Sequence, residues 1–166
     1  MAYLLDANVF IEAHRRYYAF DICPGFWVAL ANHNGTGNLK SIDRVKTEEF
    51  ARGTDGLLNW ARTAVPGDFF ANSSDTDIIQ AYRDAVNWVN SQTRFSQAAK
   101  NEYAQSVDGW LIAYAKARGM ILVTHEERAP ASRNSVKIPD VCDAIGVTCR
   151  NTFEMLRDLG SSFILA

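Results

Sequence analysis

Two short apolar runs limit the folds that this chain can adopt. Tyr3-Leu4-Leu5 and Met120–Val123 each have the length of a buried strand, and stretches with helical periodicity lie between them. Short apolar strands that alternate with helices are typical of a parallel sheet covered on both faces. We therefore expect one α/β domain over residues 1–166, with a central parallel β-sheet flanked by helices on both faces.

The remaining elements are predicted from hydrophobic spacing, caps and turn residues. A third strand is expected at Val136–Ile138, and breaks are expected at Pro24-Gly25 and Asn34–Gly37. The predicted helices cover Asn8 to about Tyr18, Phe26–Ala31, Ser41 or Asp43 to Gly53, Thr54 or Asp55 to Pro66, Asp75 to at least Val89, one or two pieces between Phe95 and Arg118, Asp140–Ile145 and Thr152–Leu159.

Composition and residue spacing give no sign of a strongly basic nucleic-acid-binding protein, a membrane or secreted protein, or a zinc protein. The formal net charge is −2, so an overall basic surface for nucleic acid is not expected, although a local basic rim can serve. No apolar run predicts a transmembrane helix, and no secretory signal pattern is visible. The three cysteines form no CxxC pair, which favours reduced thiols in a cytoplasm, and the three histidines lack the spacing of a zinc site.

Asp6 is the first residue that points to a functional site. It ends an apolar run, and the sequence returns at once to Val9-Phe10-Ile11. Because burying an unpaired carboxylate is costly, Asp6 needs either a charged partner or a local role as a turn or N-cap residue. Ligands of parallel sheets bind beyond the carboxyl ends of the strands, and Glu126, just after the Met120–Val123 run, should reach the same edge.

Acidic residues on two predicted helices repeat this pattern. Asp108 begins an apolar stripe that continues through Leu111-Ile112, so its carboxylate should point inward near the helix N-terminus. Glu48 and Glu49 follow Val45 by three and four residues, and the spacing does not choose between them. Each acid taken singly also suits an ordinary cap, loop or solvated surface.

Together, these acids would repel one another and take up protons if no cation were bound. A hard divalent cation removes that conflict, and Mg²⁺ or Mn²⁺ prefers oxygen ligands. The sequence therefore predicts a magnesium or manganese site among the acids.

Several motifs follow one another in a recognisable order. An apolar-apolar-Asp-x-Asn motif at the N-terminus precedes Val-x-x-x-Glu-Phe and then SVDGWLIAYAKARGMILVTHE. With VKIPDVCDAIGV near the C-terminus, this order resembles the PIN domain, the nuclease fold of VapC-type bacterial toxins, and specifically a less characterised bacterial branch of PIN-like proteins. The resemblance extends from Tyr3 to about Leu159.

The resemblance, applied position by position, implies an acidic quartet that acts in catalysis and metal binding: Asp6, Glu49, Asp108 and Glu126. Asn8 and Thr124 would support this quartet. Glu49 is preferred to Glu48 because the family's glutamate directly precedes an apolar residue. Since the family more often has Asp as its fourth acid, Glu127 and Asp140 compete with Glu126 for that place.

The implied activity is that of a Mg²⁺- or Mn²⁺-dependent endoribonuclease, in which a metal-activated water hydrolyses RNA phosphodiesters. The resemblance also implies that the protein is the toxin of a bacterial type II toxin–antitoxin system and that it binds a cognate antitoxin protein. It further implies that the toxin can form a homodimer and does not associate with a membrane. Candidate RNA contacts near the rim are Arg15, Arg16, Lys46 and Arg128.

Two alternatives remain open at this point. A haloacid-dehalogenase-like phosphatase would use Asp6 as a nucleophile but would leave Glu49 and Asp108 without a role. Its other residues would be Thr124, Lys137, Asp140 and Asp143. A PIN-like domain that binds RNA or a partner without cutting is the second alternative, against which the intact quartet argues.

Overall fold

Five parallel strands form the centre of the structure, a computed structural model that describes residues 1–53 and 56–165. The strands are β1 (Tyr3–Leu5), β2 (Leu39–Ile42), β3 (Phe70–Ala71), β4 (Ile121–Val123) and β5 (Cys149–Arg150). Their order in the sheet is β3-β2-β1-β4-β5, and each neighbouring pair is parallel. The expected α/β architecture is confirmed.

Helices connect and cover these strands. They are α1 (Ala7–Glu12), α2 (Pro24–Gly35), α3 (Leu57–Thr63), α4 (Thr76–Ser91), α5 (Gln97–Gln105), α6 (Asp108–Arg118), α7 (Ile138–Ile145) and α8 (Thr152–Asp158). Shorter helical segments are π-helical at Ala13–Tyr17 and Val45–Glu49, and 3₁₀ at Phe50–Arg52 and Gly67–Phe69. In the ranges that the structure describes, no helix has the length and apolar character needed to cross a membrane.

Several predicted boundaries were wrong. The strand predicted at Val136–Ile138 is absent, because Ile138 begins α7 with Pro139 in its first turn, where a missing N–H costs no hydrogen bond. Pro24 begins α2 for the same reason, and that helix continues through Gly35 into the predicted loop. The predicted helix start at Thr54 or Asp55 lies outside the described residues.

Ser41 was also misassigned as a helix cap, because it lies in β2, a strand that hydrophobic spacing did not reveal. The side chain of Ser41 is buried and donates a hydrogen bond of 2.7 Å to the carbonyl oxygen of Leu5. β3 and β5 were missed as well. Each is two residues long, which is too short to show an alternating pattern.

An aromatic cluster under the sheet brings two acidic segments together. The rings of Phe10 and Phe50 meet edge to face with their centroids 5.3 Å apart, and both side chains are buried. Phe10 lies on α1, which begins after Asp6, and Phe50 directly follows Glu49. This contact brings together the two segments that carry Asp6 and Glu49, which are remote in sequence.

The order in which strands are added to the sheet reverses between β1 and β4. β2 and β3 extend the sheet on one side of β1, whereas β4 and β5 extend it on the other. Leu5 pairs with Val123, and the amide of Asp6 donates a 3.0 Å hydrogen bond to the Val123 carbonyl oxygen. The crevice beyond such a switch point is where open parallel sheets bind ligands.

Candidate active site

Four carboxylates line one cavity of about 200 Å³ at this crevice. They belong to Asp6, Glu49, Asp108 and Glu126, and the lining is completed by Ala7, Asn8, Ile11 and Val107. The end of β1, the π-helical segment, the start of α6 and the loop after β4 thus contribute one acid each. The convergence expected from the sequence is confirmed, and we call this space the acid cavity.

Asp6 is buried, with 4% of its surface exposed. It occupies the N-cap position of α1, yet its side chain makes no capping hydrogen bond to that helix. Its Oδ2 instead accepts a 2.9 Å hydrogen bond from the hydroxyl of Thr124. The alternative role as an ordinary helix cap is therefore not supported.

Thr124 and Asn8 join the end of β1 to the loop after β4. The Thr124 hydroxyl donates to Asp6 and accepts from the side-chain amide of Asn8 at 3.3 Å and from the backbone N–H of Glu126 at 3.1 Å. The Asn8 Oδ1 accepts from the backbone N–H of His125 at 3.2 Å. Because a hydroxyl offers one donor and two lone pairs, Thr124 is fully satisfied by these partners.

The carboxylate of Glu126 and the residue Asp108 each lie at the N-terminal end of a helix. The Oε2 of Glu126 accepts a 2.8 Å hydrogen bond from the backbone N–H of Ile138, the first residue of α7. Asp108 is the first residue of α6, where the helix dipole favours negative charge. The positive charge of Lys137 offsets only part of the rise that burial and the neighbouring carboxylates cause in the pKa of Asp108.

The electrostatics of the cavity favour proton uptake when no cation is present. Burial, together with the charges of Glu126 and Glu49, raises the pKa of Asp6 to about 7, although the Thr124 hydrogen bond and the nearby backbone amide of Ala7 oppose the change. Burial and the three neighbouring carboxylates also raise the pKa of Asp108 well above its ordinary value. A cation bound here would replace those protons.

A family model for a domain of unknown function, DUF4411, matches residues 3–163. The chain belongs to the DUF4411 family. Neither the curated proteins nor the solved structures contain a significant match. Since the matched range includes the whole lining of the acid cavity, the candidate site is part of the DUF4411 domain.

The structure separates the competing acids of the DUF4411 chain. Glu48 does not line the acid cavity, and its Oε1 accepts a 3.3 Å hydrogen bond from Arg44. Glu127 is exposed, and Asp140 accepts hydrogen bonds from the backbone N–H of Ala129. Glu49 and Glu126 are thus the glutamates that join Asp6 and Asp108.

The donor set fits a hard divalent cation in its chemistry, because it consists of carboxylate oxygens. Within residues 1–53 and 56–165, no three His, Cys, Asp or Glu side chains form a group ready to hold a metal ion. Mg²⁺ commonly binds through one or two carboxylates and keeps several waters, so it does not require a complete protein cage.

Two residues of the predicted basic rim form ion pairs within the protein. Arg16 pairs with Glu12 at 3.1 Å, and Arg128 donates two hydrogen bonds to Asp143. Lys137, which the sequence assigns a role only in the phosphatase alternative, directly precedes α7, and its charge acts on Asp108. Its position beside the helix-starting Ile138-Pro139 pair was the available signal.

Proposed function

We propose that this DUF4411 protein is a Mg²⁺- or Mn²⁺-dependent endoribonuclease that hydrolyses RNA phosphodiesters. The observation that carries the proposal is the shared cavity, in which four carboxylates from separated segments meet at the switch point of a parallel sheet. Asp6 and Asp108 would be the main metal-binding residues, and Glu49 and Glu126 would complete the set. A bound divalent cation supplies an activated water and offsets charge on the leaving oxygen.

The protein groups contribute position and charge to this chemistry. The hydroxyl of Thr124 orients the Asp6 carboxylate, and Asn8 holds that hydroxyl and the following loop in place. Because burial raises the pKa of Asp6 to about 7, a cation that binds here near neutral pH would displace the proton of this carboxyl group. Water is the nucleophile in this proposal, so no protein nucleophile is required.

The order of the sequence motifs, which resembles that of PIN domains, supports RNA as the substrate class. On the same ground, we propose that the protein is the toxin of a type II toxin–antitoxin system in a bacterial cytoplasm. A cognate antitoxin would then cover the acid cavity, and the toxin would dimerise.

A cleavage assay tests the ribonuclease proposal. We expect purified protein to cut fluorescently labelled single-stranded RNA with Mn²⁺ or Mg²⁺ but not with EDTA. Asp6→Asn should reduce the rate by at least about a hundredfold, because it removes a proposed ligand. Glu127→Gln, which changes an exposed acid outside the cavity, is the matched control and should retain activity.

Two results would contradict the proposal. Equal cleavage by wild type and Asp6→Asn would trace the activity to a contaminant or to another site. Binding of RNA without any metal-dependent cleavage would favour the non-catalytic alternative instead. Far-UV circular dichroism of both variants establishes that they fold.

The phosphatase alternative has less support from the contacts. Its metal-binding residues would be Asp140 and Asp143, yet neither lines the acid cavity, and both carboxylate oxygens of Asp143 accept hydrogen bonds from Arg128. Hydrolysis of an aryl phosphate, with a trapped acyl-phosphate on Asp6, would reverse this preference.

A further inference from the structure

Two exposed aromatic rings lie close to the acid cavity. Tyr17 and Phe153 are 55% and 39% exposed, and neither belongs to the hydrophobic core. Their ring centroids are 6.2 Å apart in an edge-to-face arrangement, although the two residues are remote in sequence. The fold thus brings together two large apolar rings that it does not bury, and exposed apolar surface of this kind marks binding sites.

His125 adds a third ring to this pair. Its centroid lies 6.3 Å from that of Phe153. The Nε2 of His125 is 3.0 Å from the hydroxyl oxygen of Thr152, a buried residue, and this hydrogen bond fixes the orientation of the imidazole. The three rings therefore form one surface whose geometry is set by the fold.

These rings line two hollows that adjoin the acid cavity. A hollow of about 290 Å³ beside Tyr17 shares Asn8 and Glu126 with the lining of the acid cavity. A second hollow, of about 410 Å³, is lined in part by Phe153, and His125 and Glu126 line both hollows. We call the two hollows together the aromatic groove. A ligand chain bound along this groove would continue directly into the acid cavity.

The charges of the aromatic groove offer few contacts to phosphate. Of its two arginines, Arg128 is paired with Asp143, whereas Arg150 is exposed and makes no ion pair within the ranges that the structure describes. Glu127 and Glu154 also line the groove, so it has no excess of positive charge. Affinity for a nucleic acid would therefore come mainly from the rings.

Unpaired nucleobases are the ligands that suit such a surface. The flat face of a base is accessible only where the base is not paired and stacked within a duplex. Aromatic side chains bind these faces by stacking, with little dependence on the identity of the base. A strand hydrolysed at the acid cavity would place its neighbouring nucleotides in the aromatic groove, because the two spaces share a wall.

We propose that Tyr17, His125 and Phe153 form a stacking surface for unpaired bases next to the hydrolysed bond, and that Arg150 contacts an adjoining phosphate. This inference rests on the proposed ribonuclease function and narrows the substrate to single-stranded or looped RNA. Continuity with the acid cavity favours a nucleic-acid strand over a protein partner as the occupant, because a protein that covers the rings does not require it.

Fluorescence anisotropy in EDTA tests the aromatic groove without requiring catalysis. The probes are labelled oligo(A) and oligo(U) RNA hexamers, an abasic hexamer and a blunt-ended RNA duplex. Both hexamers that carry bases should bind at least about tenfold more tightly than the abasic hexamer and the duplex, because only they offer unpaired faces. The binding constant should depend weakly on salt, with a log–log slope of about −0.7 for one phosphate contact.

Variants assign the affinity to named side chains. Tyr17→Leu and Phe153→Leu keep an apolar side chain but remove the ring, and each should weaken oligo(A) binding about five- to twentyfold. Because both rings are exposed, the melting temperatures should stay at that of wild type. Arg150→Gln should remove most of the salt dependence. Phe163→Leu is the matched control, since Phe163 is 37% exposed but lies outside the aromatic groove.

A cleavage assay with Mn²⁺ separates binding from chemistry. The double variant Tyr17→Leu/Phe153→Leu should have a raised KM for labelled single-stranded RNA and a nearly unchanged kcat, the pattern of lost uniform binding. A fall in kcat with unchanged KM would instead indicate that the substitutions disturb the acid cavity, and it would count against the stacking surface.

The proposal is overturned if the abasic hexamer or the duplex binds as tightly as oligo(A), or if no hexamer binds at millimolar concentration. It is also overturned if removal of both rings leaves the affinity unchanged, a result that would leave the rings to a protein partner. Ring-dependent binding by a protein that cuts no RNA would support the stacking surface and contradict the ribonuclease. Metal-dependent cleavage with the KM of the double variant unchanged would do the reverse.

Discussion

At the scale of single residues, Asp6 dominates the behaviour of the acid cavity. It combines burial, two neighbouring glutamates and a single side-chain donor, the Thr124 hydroxyl. The result is a pKa of about 7 for a group that titrates near 4 in an unfolded chain. In the absence of a cation, ionisation of Asp6 therefore opposes folding.

Asp6→Asn should stabilise the metal-free protein at alkaline pH. The pKa of Asp6 is higher in the folded state, so the folded state binds more protons and its stability falls as pH rises from about 4 through about 7. Because asparagine does not titrate, the Asp6→Asn substitution removes this contribution to the pH dependence of stability. Urea unfolding in EDTA should show a gain of about 1–3 kcal/mol for Asp6→Asn at pH 8 and a smaller difference at pH 5.

Glu127→Gln is the control, since its exposed carboxyl group lies outside the cavity. Parallel pH profiles for wild type and Asp6→Asn would show that burial of Asp6 does not destabilise the fold.

At the scale of elements, the site depends on how loops are tied to strand ends. The Thr124 hydroxyl bridges the residue after β1 and the loop after β4, and Glu126 is held by the first N–H of α7. The Phe10–Phe50 contact positions the segment that carries Glu49. Thr124 thus supports two of the acidic segments at once, whereas the segment that carries Glu49 has a support of its own.

Thr124→Val tests the bridge between β1 and β4. Valine keeps the shape but removes the hydroxyl, which leaves Asp6 with no side-chain donor and the Glu126 amide without its acceptor. We expect a loss of about 1–3 kcal/mol in unfolding free energy. Mn²⁺ affinity, measured by calorimetry, should fall about ten- to a hundredfold.

Thr124→Ser retains the hydroxyl and should behave almost like wild type in both measurements. If serine and valine variants lose Mn²⁺ affinity equally, the threonine methyl group rather than the hydrogen bonds matters at this position.

At the scale of the whole molecule, the four acids connect both halves of the sheet. Asp6 and Glu49 come from the N-terminal third of the chain, and Asp108 and Glu126 follow much later. A cation bound among them would cross-link segments that unfolding separates, so metal binding and folding should be coupled.

Mn²⁺ should therefore raise the melting temperature, and more at pH 8 than at pH 6. A concentration a hundredfold above the dissociation constant contributes about 2.7 kcal/mol, equivalent to about 5–10 °C for a chain of this size. The gain is smaller at pH 6 because protons on Asp6 and Asp108 compete with the ion. Differential scanning fluorimetry measures both shifts, and an equal response from Asp6→Asn would contradict the assigned site.

The sequence by itself determined the α/β class, most of the helices and the two aspartates of the candidate site. These features depend on local periodicity and on the general rule that parallel strands present their carboxyl ends at one edge. Asp6 and Asp108 could be selected because each interrupts or begins an apolar pattern. Glu49 was preferred to Glu48 through the resemblance to PIN domains, not through the spacing.

Only the tertiary structure decided which carboxylates meet and what surrounds them. Adjacent residues point about 100° apart on a regular helix, and the π-helical turn at Val45–Glu49 changes that direction further, so spacing could not separate Glu48 from Glu49. A neighbouring cavity of about 190 Å³, whose lining includes Asp108, Glu126 and Lys137, joins α5, α6 and the loops before α6 and α7. Such a space is created by packing between segments distant in sequence, and no local pattern encodes it.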